Sequence, residues 1–290
     1  MMQTGPHPPS PTEQAAYAFL SPHLPPPRSS AAPAVPFLTL TYAQSVDGFI
    51  AKRDGRPLAL SSPFSSVLTH ALRASHDAIL IGVTTAVNDD PSLTTRCVAY
   101  DVTGAHGAQS PIPVILDSGL RTPVTAKVLR IPRTRRGCDS NSKVVILTTR
   151  DHDAEQKRAL EAAGAVVVVV ASDAHHRVDF PSALHALAHH GIRSVMVEGG
   201  ATVIGNVLQS ANVKIDLLVV TLAPVILGRG VHAVGGASAG GGSQPSEMVA
   251  EEETPRLVDV QWKQFGPDMV MLAKTARPST GVEANGARGL

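Results

Sequence analysis

The feature that most constrains the fold is an alternation of short apolar runs with amphipathic segments through the middle of the chain. The apolar runs are rich in β-branched residues and predict strands at Phe37–Tyr42, Ala78–Ile81, Val114–Leu116, Val144–Thr148, Val166–Val170, Val195–Val197 and Leu217–Leu222. Apolar residues at helical spacing predict helices at Ser66–Ala74, Asp153–Ala163 and Ser182–His189. Strands that alternate with helices indicate an α/β fold with a mostly parallel central sheet flanked by helices.

The end of the chain has a different pattern. Val258–Gln264 and Met269–Lys274 are strand-like and are separated by a Gly-Pro-Asp turn. This arrangement predicts a C-terminal β-hairpin.

Composition divides the chain into a domain and its flanking segments. Residues 1–36 are rich in Pro, Ser and Ala, which predicts a largely disordered N-terminal extension whose apolar stretch Ala15–Leu20 docks locally. Residues 37–275 then form the domain, with a flexible insertion at about 235–256 and a disordered tail at 276–290. We therefore expect deletion of residues 1–30 to leave activity largely intact.

Charge and cysteine content restrict the partners. The net charge of +1 favours neither a nucleic acid nor a membrane surface as partner, and a small-molecule substrate is expected. Cys97 and Cys138 are too few for a disulfide framework or a thiolate zinc site, and the histidines lack a third spaced ligand, so no metal is expected. The sequence shows no secretory signal and no membrane-length apolar run, which favours a cytoplasmic protein.

The most informative segment is Glu198–Asn206, which follows a predicted strand and begins a helix. Its adjacent glycines would let backbone amides approach a phosphate at the positive end of the helix dipole. The alternative is a tight turn that needs glycine only for its dihedral angles. The residues alone slightly favour this alternative.

A second segment, Ile81–Arg96, runs from the end of a strand into a polar loop that contains Asp89, Asp90 and Arg96. Ligands of open α/β sheets collect at the carboxyl ends of strands, which favours a site here. Turn formation by Asp90-Pro91, with Arg96 pairing to the carboxylates, is an equally good interpretation. Two further stretches are weak signals alone: the Ser45-Val46-Asp47-Gly48 turn, typical of a hairpin, and Pro113–Ser118, a buried strand with a polar end.

These four stretches, taken in their order along the chain, resemble the reductase domain of riboflavin biosynthesis, in particular the stand-alone reductases of fungi and archaea. The specific elements are the Ser-Val-Asp-Gly turn, the loop Gly-x-x-Thr-x-x-x-Asp-Asp-Pro-x-Leu-x-x-Arg, the Glu-Gly-Gly-x-Thr helix start and the run Leu222–Gly228. The resemblance covers roughly residues 37–275. It implies a dihydrofolate-reductase-like fold, a homodimer and NADPH as cofactor, with NADH possible.

The resemblance also implies roles for particular residues. Cofactor contacts are implied at Thr85, Asp89, Ser118, Gly199, Gly200, Ala201, Thr202, Val203, Ile204, Gly205 and Asn206. Substrate contacts are implied at Arg73, Leu93, Arg96 and Glu198, the arginines suiting a 5′-phosphate. Glu198 is the candidate catalytic residue, for positioning or protonation, with Asp47 second. Pro57 and Ala59 depart from the serine and aromatic cofactor contact expected from bacterial relatives.

The implied reaction reduces the ribosylamino group of 2,5-diamino-6-ribosylamino-4(3H)-pyrimidinone 5′-phosphate to the ribitylamino product. Bacterial relatives fuse the reductase to a zinc deaminase with His-x-Glu and Pro-Cys-x-x-Cys motifs. This sequence contains neither motif, so we expect the substrate to retain its exocyclic amine. Two alternatives stay open: a reductase of a pterin, and a dinucleotide-binding regulatory module without turnover.

Overall fold

A mostly parallel sheet forms the centre of the fold. The computed structural model describes residues 8–26, 33–53, 58–99, 107–131, 143–210, 212–233 and 256–276. The strands are β1 Phe37–Ser45, β2 Phe49–Ala51, β3 Ala78–Gly82, β4 Ile112–Leu116, β5 Val145–Thr148, β6 Val166–Val169, β7 Ser194–Gly199, β8 Leu217–Ala223, β9 Val231–His232, β10 Arg256–Phe265 and β11 Asp268–Ala276. The helices are α1 Pro11–Leu20, α2 Pro63–Ser75, α3 Val83–Asp89, α4 Lys127–Arg130, α5 Ala154–Ala162, α6 Phe180–His189 and α7 Ala201–Gln209.

Strand order determines where a ligand can bind. Over the described residues the sheet has nine strands in the order β10-β11-β8-β1-β7-β3-β4-β5-β6. The pairs from β8 to β6 are parallel, whereas β11 pairs antiparallel with β8 and β10. Every strand that the sequence predicted is present, as is the C-terminal hairpin. The carboxyl ends of β1, β7 and β3 lie side by side, which places their following loops at one edge.

The core fills both faces of the sheet. Helix α2 begins after the cap Ser62, whose Oγ accepts from Ser65 N, and has Pro63 in its first turn. Its residues Leu68, Ala71 and Leu72 are fully buried, which confirms the predicted apolar face. Helices α6 and α7 cover the face of the sheet opposite to α2. None of the described helices is long and apolar enough to cross a bilayer.

The prediction that residues 1–36 are largely disordered was wrong for residues 8–26. Ser10 caps α1 by accepting from Glu13 N, and Pro11 occupies the first turn, a start signal hidden by the surrounding prolines. Ala16, Phe19 and Leu20 are buried within Ala15–Leu20, the stretch expected to dock. The predicted flexible insertion and the tail lie outside the described residues apart from their end positions 256 and 276.

The Asp47-Gly48 turn does not close a simple hairpin. Gly48 N donates to Ser45 O at 3.0 Å, so the turn forms, but β2 pairs antiparallel with β9 in a separate two-stranded sheet. The Phe49 and His232 rings lie 4.1 Å apart between centroids. The pairing partner comes from far along the chain, which a local turn signal cannot indicate.

Candidate active site

A cavity of about 700 Å³ lies at the carboxyl edge of β1, β7 and β3. It is bounded by the end of β1, by β2, by residues 58–61 and by the beginnings of α3 and α7. The predicted site residues among its lining are Thr85, Asp89, Glu198, Gly199, Gly200, Ala201, Thr202, Val203 and Ile204. The structure thus brings two sequence segments that are more than a hundred positions apart to one cavity.

The Gly199–Gly200 turn requires glycine on geometric grounds. Gly199 has φ +62° and Gly200 has φ +108°, conformations that side-chain-bearing residues rarely adopt. A Cβ at Gly200 would lie 2.8 Å from Thr85 Oγ1, and one at Gly199 would lie 2.6 Å from Ile204 Cγ1. The tight turn accounts for the glycines by itself, and it also exposes backbone to the cavity.

The beginning of α7 is suited to a dinucleotide phosphate. Its cap is Gly200, so no side chain accepts from the N–H groups of the first turn, which includes Ala201, Thr202 and Val203. Such free donors, together with the helix dipole, favour an anion. Thr85 Oγ1 donates to Gly199 O at 3.3 Å and joins α3 to this turn. The residues present therefore fit a nicotinamide dinucleotide.

Asp89 lies at the other side of this lining, at the end of α3. Burial raises the pKa of its carboxyl above the usual value. Asp90, by contrast, accepts from Lys127 N at 2.8 Å and pairs with Lys127 Nζ at 3.6 Å. Of the two adjacent carboxylates, Asp89 lines the cavity and Asp90 holds α4.

Arg73 and Glu198 form a bidentate ion pair beside the cavity. Arg73 Nε donates to Glu198 Oε1 and Nη2 donates to Oε2, both at 2.6 Å, while Nη1 donates to Thr94 O at 3.0 Å. The two side chains are only 13% and 18% exposed. Burial disfavours the charged guanidinium, but the adjacent Glu198 carboxylate outweighs it, and the pKa of Arg73 is raised. The pair fixes an ionised carboxylate immediately before the Gly-Gly turn.

Arg96 carries a charge that no carboxylate among the described residues neutralises. Its Nη1 donates to Ser92 Oγ at 2.7 Å and to Thr94 Oγ1 at 3.4 Å, and its side chain is exposed. The predicted pairing of Arg96 with Asp89 or Asp90 does not occur. Leu93, three residues earlier, is buried with a left-handed backbone of φ +49°. It turns the loop so that Arg96 and Arg73 both approach Thr94.

His70 lies directly beneath the two arginines. Its Nδ1 accepts from Arg96 N at 3.2 Å, and its side chain is buried. Burial, followed by the charges of Arg73 and Arg96, lowers the pKa of His70 to about 4. His70 is therefore a neutral acceptor that holds the loop, and its position on the inner face of α2 gave no such signal in the sequence.

Three predicted cofactor contacts do not line the cavity. Gly205 and Asn206 lie in the second turn of α7, and Ser118 lies at the end of β4. Ser118 Oγ accepts from Val178 N at 2.9 Å, so the residue supports a neighbouring loop. Their cofactor contacts stay a prediction.

Asp47 is engaged in holding a loop. Its carboxylate accepts from Leu227 N and from Gly228 N, at 3.1 Å and 2.7 Å to Oδ2. Hydrogen bonds from Ser45 and from these amides lower the pKa of Asp47 to about 2. Asp47 is not part of the cavity lining and its carboxylate is engaged by this loop, whereas Glu198 lines the cavity, which favours Glu198 over Asp47 for any role at the substrate.

Several cavity residues were missed from the sequence. Tyr42 and Ala43 end β1 beside the cavity, and Ile50 and Leu58 add apolar lining. Tyr42 and Ala43 directly precede the Ser-Val-Asp-Gly turn, which was the available signal. Ala59, one of the two departures from the bacterial pattern, also lines the cavity, whereas Pro57 lies outside the described residues. In the described part of the chain, His, Cys, Asp and Glu form no group of three that could hold a metal ion.

This chain is similar to known proteins of riboflavin biosynthesis. The RibD C-terminal domain family matches residues 36–271. A relative from Debaryomyces hansenii named 2,5-diamino-6-ribosylamino-4(3H)-pyrimidinone 5′-phosphate reductase is 32% identical over 264 residues, which span 88% of this chain and 94% of the relative. The riboflavin biosynthesis protein RibD of Bacillus amyloliquefaciens is 33% identical over 87% of this chain but only 60% of its own length.

A solved structure supports the same fold. The riboflavin biosynthesis reductase of Saccharomyces cerevisiae superposes with a TM-score of 0.61 at 25% identity, over 89% of this chain and 98% of that one. The mostly parallel sheet with flanking helices and antiparallel C-terminal strands is therefore the dihydrofolate-reductase-like fold that the sequence predicted.

Proposed function

We infer the reaction from the family: the chain belongs to the RibD C-terminal domain family, and it is a reductase of riboflavin biosynthesis that uses a nicotinamide dinucleotide. We propose that it reduces the ribosylamino group of 2,5-diamino-6-ribosylamino-4(3H)-pyrimidinone 5′-phosphate, the compound named in its fungal relatives, with NADPH. The observation that carries this proposal is the Arg73–Glu198 ion pair directly beside the Gly199–Gly200 turn.

The cofactor end of the site is the cavity edge between α3 and α7. The uncapped first turn of α7 would bind the pyrophosphate through its N–H groups, and Gly200 leaves room for that approach. Thr85 and Asp89 would bind polar groups along the dinucleotide from α3. When bound, the dihydronicotinamide supplies the hydride for C1′.

We assign the substrate end to the loop of Leu93 and Arg96, which Arg73 joins to Glu198 through Thr94 O. Arg96, whose charge is not neutralised by a described carboxylate, would bind the 5′-phosphate, and Leu93 would contact the substrate from the same loop. Arg73 is already paired, so we assign it to orienting Glu198 and the backbone of Thr94. This division separates two arginines that the sequence treated alike.

Glu198 is suited to positioning. Both its oxygens accept from Arg73, which stabilises the ionised carboxylate, and its remaining lone pairs can accept from an N–H or O–H of the substrate. Reduction at C1′ proceeds through ring opening of the ribosylamine to an imine, whose carbon becomes more electrophilic when its nitrogen is protonated. A fixed carboxylate beside that nitrogen stabilises this positive charge.

The test is turnover by the purified full chain. Wild-type protein given NADPH and the freshly made diamino substrate should oxidise NADPH and form the ribitylamino product, identified by mass. Glu198→Gln should lose most of this activity, while Glu155→Gln, an exposed carboxylate on α5, should not. Binding of NADPH without oxidation in the presence of substrate would contradict the proposal, and reduction of a pterin instead would replace it.

The homodimer implied by the resemblance is a proposal too, as is the cytoplasmic location expected from the sequence. The edge strand β10 exposes an apolar stripe, with Leu257 and Val260 each 42% exposed and Trp262 51% exposed. Such a stripe beside open backbone groups suits a second copy of the chain. Light scattering should give a dimer for the wild type and a monomer for Trp262→Glu. A monomeric wild type would exclude this interface.

A further inference from the structure

We propose that α1 braces the substrate-binding loop, and that Glu13 is a positioning residue that fixes this loop through the backbone of Ala99. The proposal rests on the proposed function in one respect, because it takes Arg96 to be the phosphate-binding residue of the loop. The proposal assigns a function to the N-terminal segment, which its composition did not indicate.

Glu13 is buried although its side chain ends in a carboxyl group. Only 5% of it is exposed, and its Oε1 accepts from Ala99 N at 3.0 Å, across 86 positions of sequence. An acidic residue in the first turn of a helix interacts well with the helix dipole, but it can do so in water. Burial of a carboxylate costs free energy unless its hydrogen bonds are supplied, and the contact to the loop supplies one of them.

Helix α1 is itself held firmly against the domain. Phe19 packs on Phe265 with 6.0 Å between ring centroids, and Lys263 Nζ donates to Ala15 O at 3.2 Å. The Lys263 ammonium also lies 5.6 Å from the Phe19 ring centroid. A residue on α1 therefore offers a fixed point to anything that it binds.

Helices α2 and α1 both hold the loop that carries Arg96, and residues 107–110 hold it as well. Thr95 N donates to Ser110 Oγ, and Gly107 N and Ala108 N donate to Ala99 O. On the α2 side, Arg73 Nη1 donates to Thr94 O and His70 Nδ1 accepts from Arg96 N. On the α1 side, Val98 is buried in the same apolar cluster as Ala16, Phe19 and Leu20, and Ala99 N donates to Glu13. Arg96 lies within the stretch 94–99 that both helices hold, three positions before Ala99.

Loss of the α1 attachment should act on substrate binding. The segment after Arg96 would sample more conformations, and binding of the phosphate would then have to order it. The affinity for the phosphorylated substrate falls, whereas the affinity for the dinucleotide, held at α3 and α7, does not. Turnover at saturating substrate stays close to wild type because the ordered loop is the same.

Three variants of the full chain test this. Glu13→Ala removes the acceptor, Glu13→Gln retains an oxygen that can accept from Ala99 N, and Gln14→Ala is the control on the exposed face of α1. We expect Glu13→Ala to raise KM for the phosphorylated substrate about three- to tenfold, the factor that one such hydrogen bond is worth. Glu13→Gln and Gln14→Ala should remain within about twofold of wild type, and KM for NADPH should change in none of them.

Hydrogen exchange of the segment 94–99 in the substrate-free protein gives a readout that needs no turnover. Faster exchange in Glu13→Ala than in Gln14→Ala supports the brace, and equal exchange overturns it. A wild type that fails to turn over the substrate contradicts the proposed function but leaves this exchange result standing. A wild type that is active, with an unchanged KM in Glu13→Ala, overturns the brace alone.

Discussion

Replacement of Arg96 by alanine should weaken binding of the phosphorylated substrate and little else. Among the described residues the Arg96 side chain donates only to two hydroxyls, and it is exposed, so the folded state loses little without it. A charge-assisted hydrogen bond to a phosphate is worth about 1.5–3 kcal/mol. We therefore expect KM for the substrate to rise by roughly 10- to 150-fold. The turnover number should change much less.

The assay is steady-state oxidation of NADPH with the phosphorylated substrate and with its dephosphorylated analogue. The effect of Arg96→Ala should disappear with the analogue, because the lost contact has no phosphate to bind. The KM of Arg96→Lys for the phosphorylated substrate should lie between those of the wild type and Arg96→Ala, since lysine keeps the charge but not the planar guanidinium. Arg158→Ala, an exposed arginine on α5, is the matched control. An equal rise in KM for both substrates would refute the assignment of Arg96 to the phosphate.

Three other changes test the framework. Gly200→Ala should lower the free energy of unfolding by about 1–3 kcal/mol and weaken NADPH binding in a fluorescence titration, whereas Gly119→Ala, with open space around its Cβ, should do neither. Because α1 packs on the core, we replace the expectation that an N-terminal deletion is tolerated: deletion of residues 1–26 should cost about 3–6 kcal/mol by exposing the partners of Phe19 and Leu20, as measured by urea unfolding. Wild type should lose up to about 3 kcal/mol more than His70→Gln as the pH falls from 6.5 to 4, because the unfolded histidine takes up a proton there and the folded one does not.

The inner strands of the sheet could be predicted from sequence because they are buried on both faces. Such strands form continuous apolar runs, as Ala78–Gly82 and Val145–Thr148 do. The edge strand Val166–Val169 is only partly buried, and its run of β-branched residues made it visible instead. Helix α2 was equally visible through its single apolar face. Helix α1 was missed because Pro-rich flanks dominate the composition around a short helix, although Ser10 and Pro11 mark its beginning.

The candidate site could be predicted only as separate segments. The family resemblance implied roles for Arg73 and Glu198, but the ion pair between them joins residues 125 positions apart, and only the strand order brings them together. The same holds for Glu13 and Ala99, where neither residue belongs to a recognisable pattern. The sequence pattern shows which polar residues are candidates for binding a ligand. Packing decides which of them neutralise one another and which stay free for a substrate.

The preferred pyrimidine is the sharpest test of specificity. The fungal relatives are named for the 2,5-diamino compound, and this chain aligns with 94% of the length of the one from Debaryomyces hansenii. We predict that the chain prefers this compound to the analogue in which an oxo group replaces the 2-amino group. The amine donates hydrogen bonds and the oxo group only accepts them, so a buried acceptor that binds the amine would be left unpaired and would face a lone pair in the analogue. The measurement is the ratio of kcat/KM for the two compounds under identical NADPH, and the expected ratio exceeds about tenfold, the discrimination that one unpaired buried group supplies. This ratio should be the same in Arg96→Ala as in the wild type, because the phosphate is common to both compounds. A ratio near one, or in favour of the oxo analogue, would show that the site does not recognise the 2-amino group.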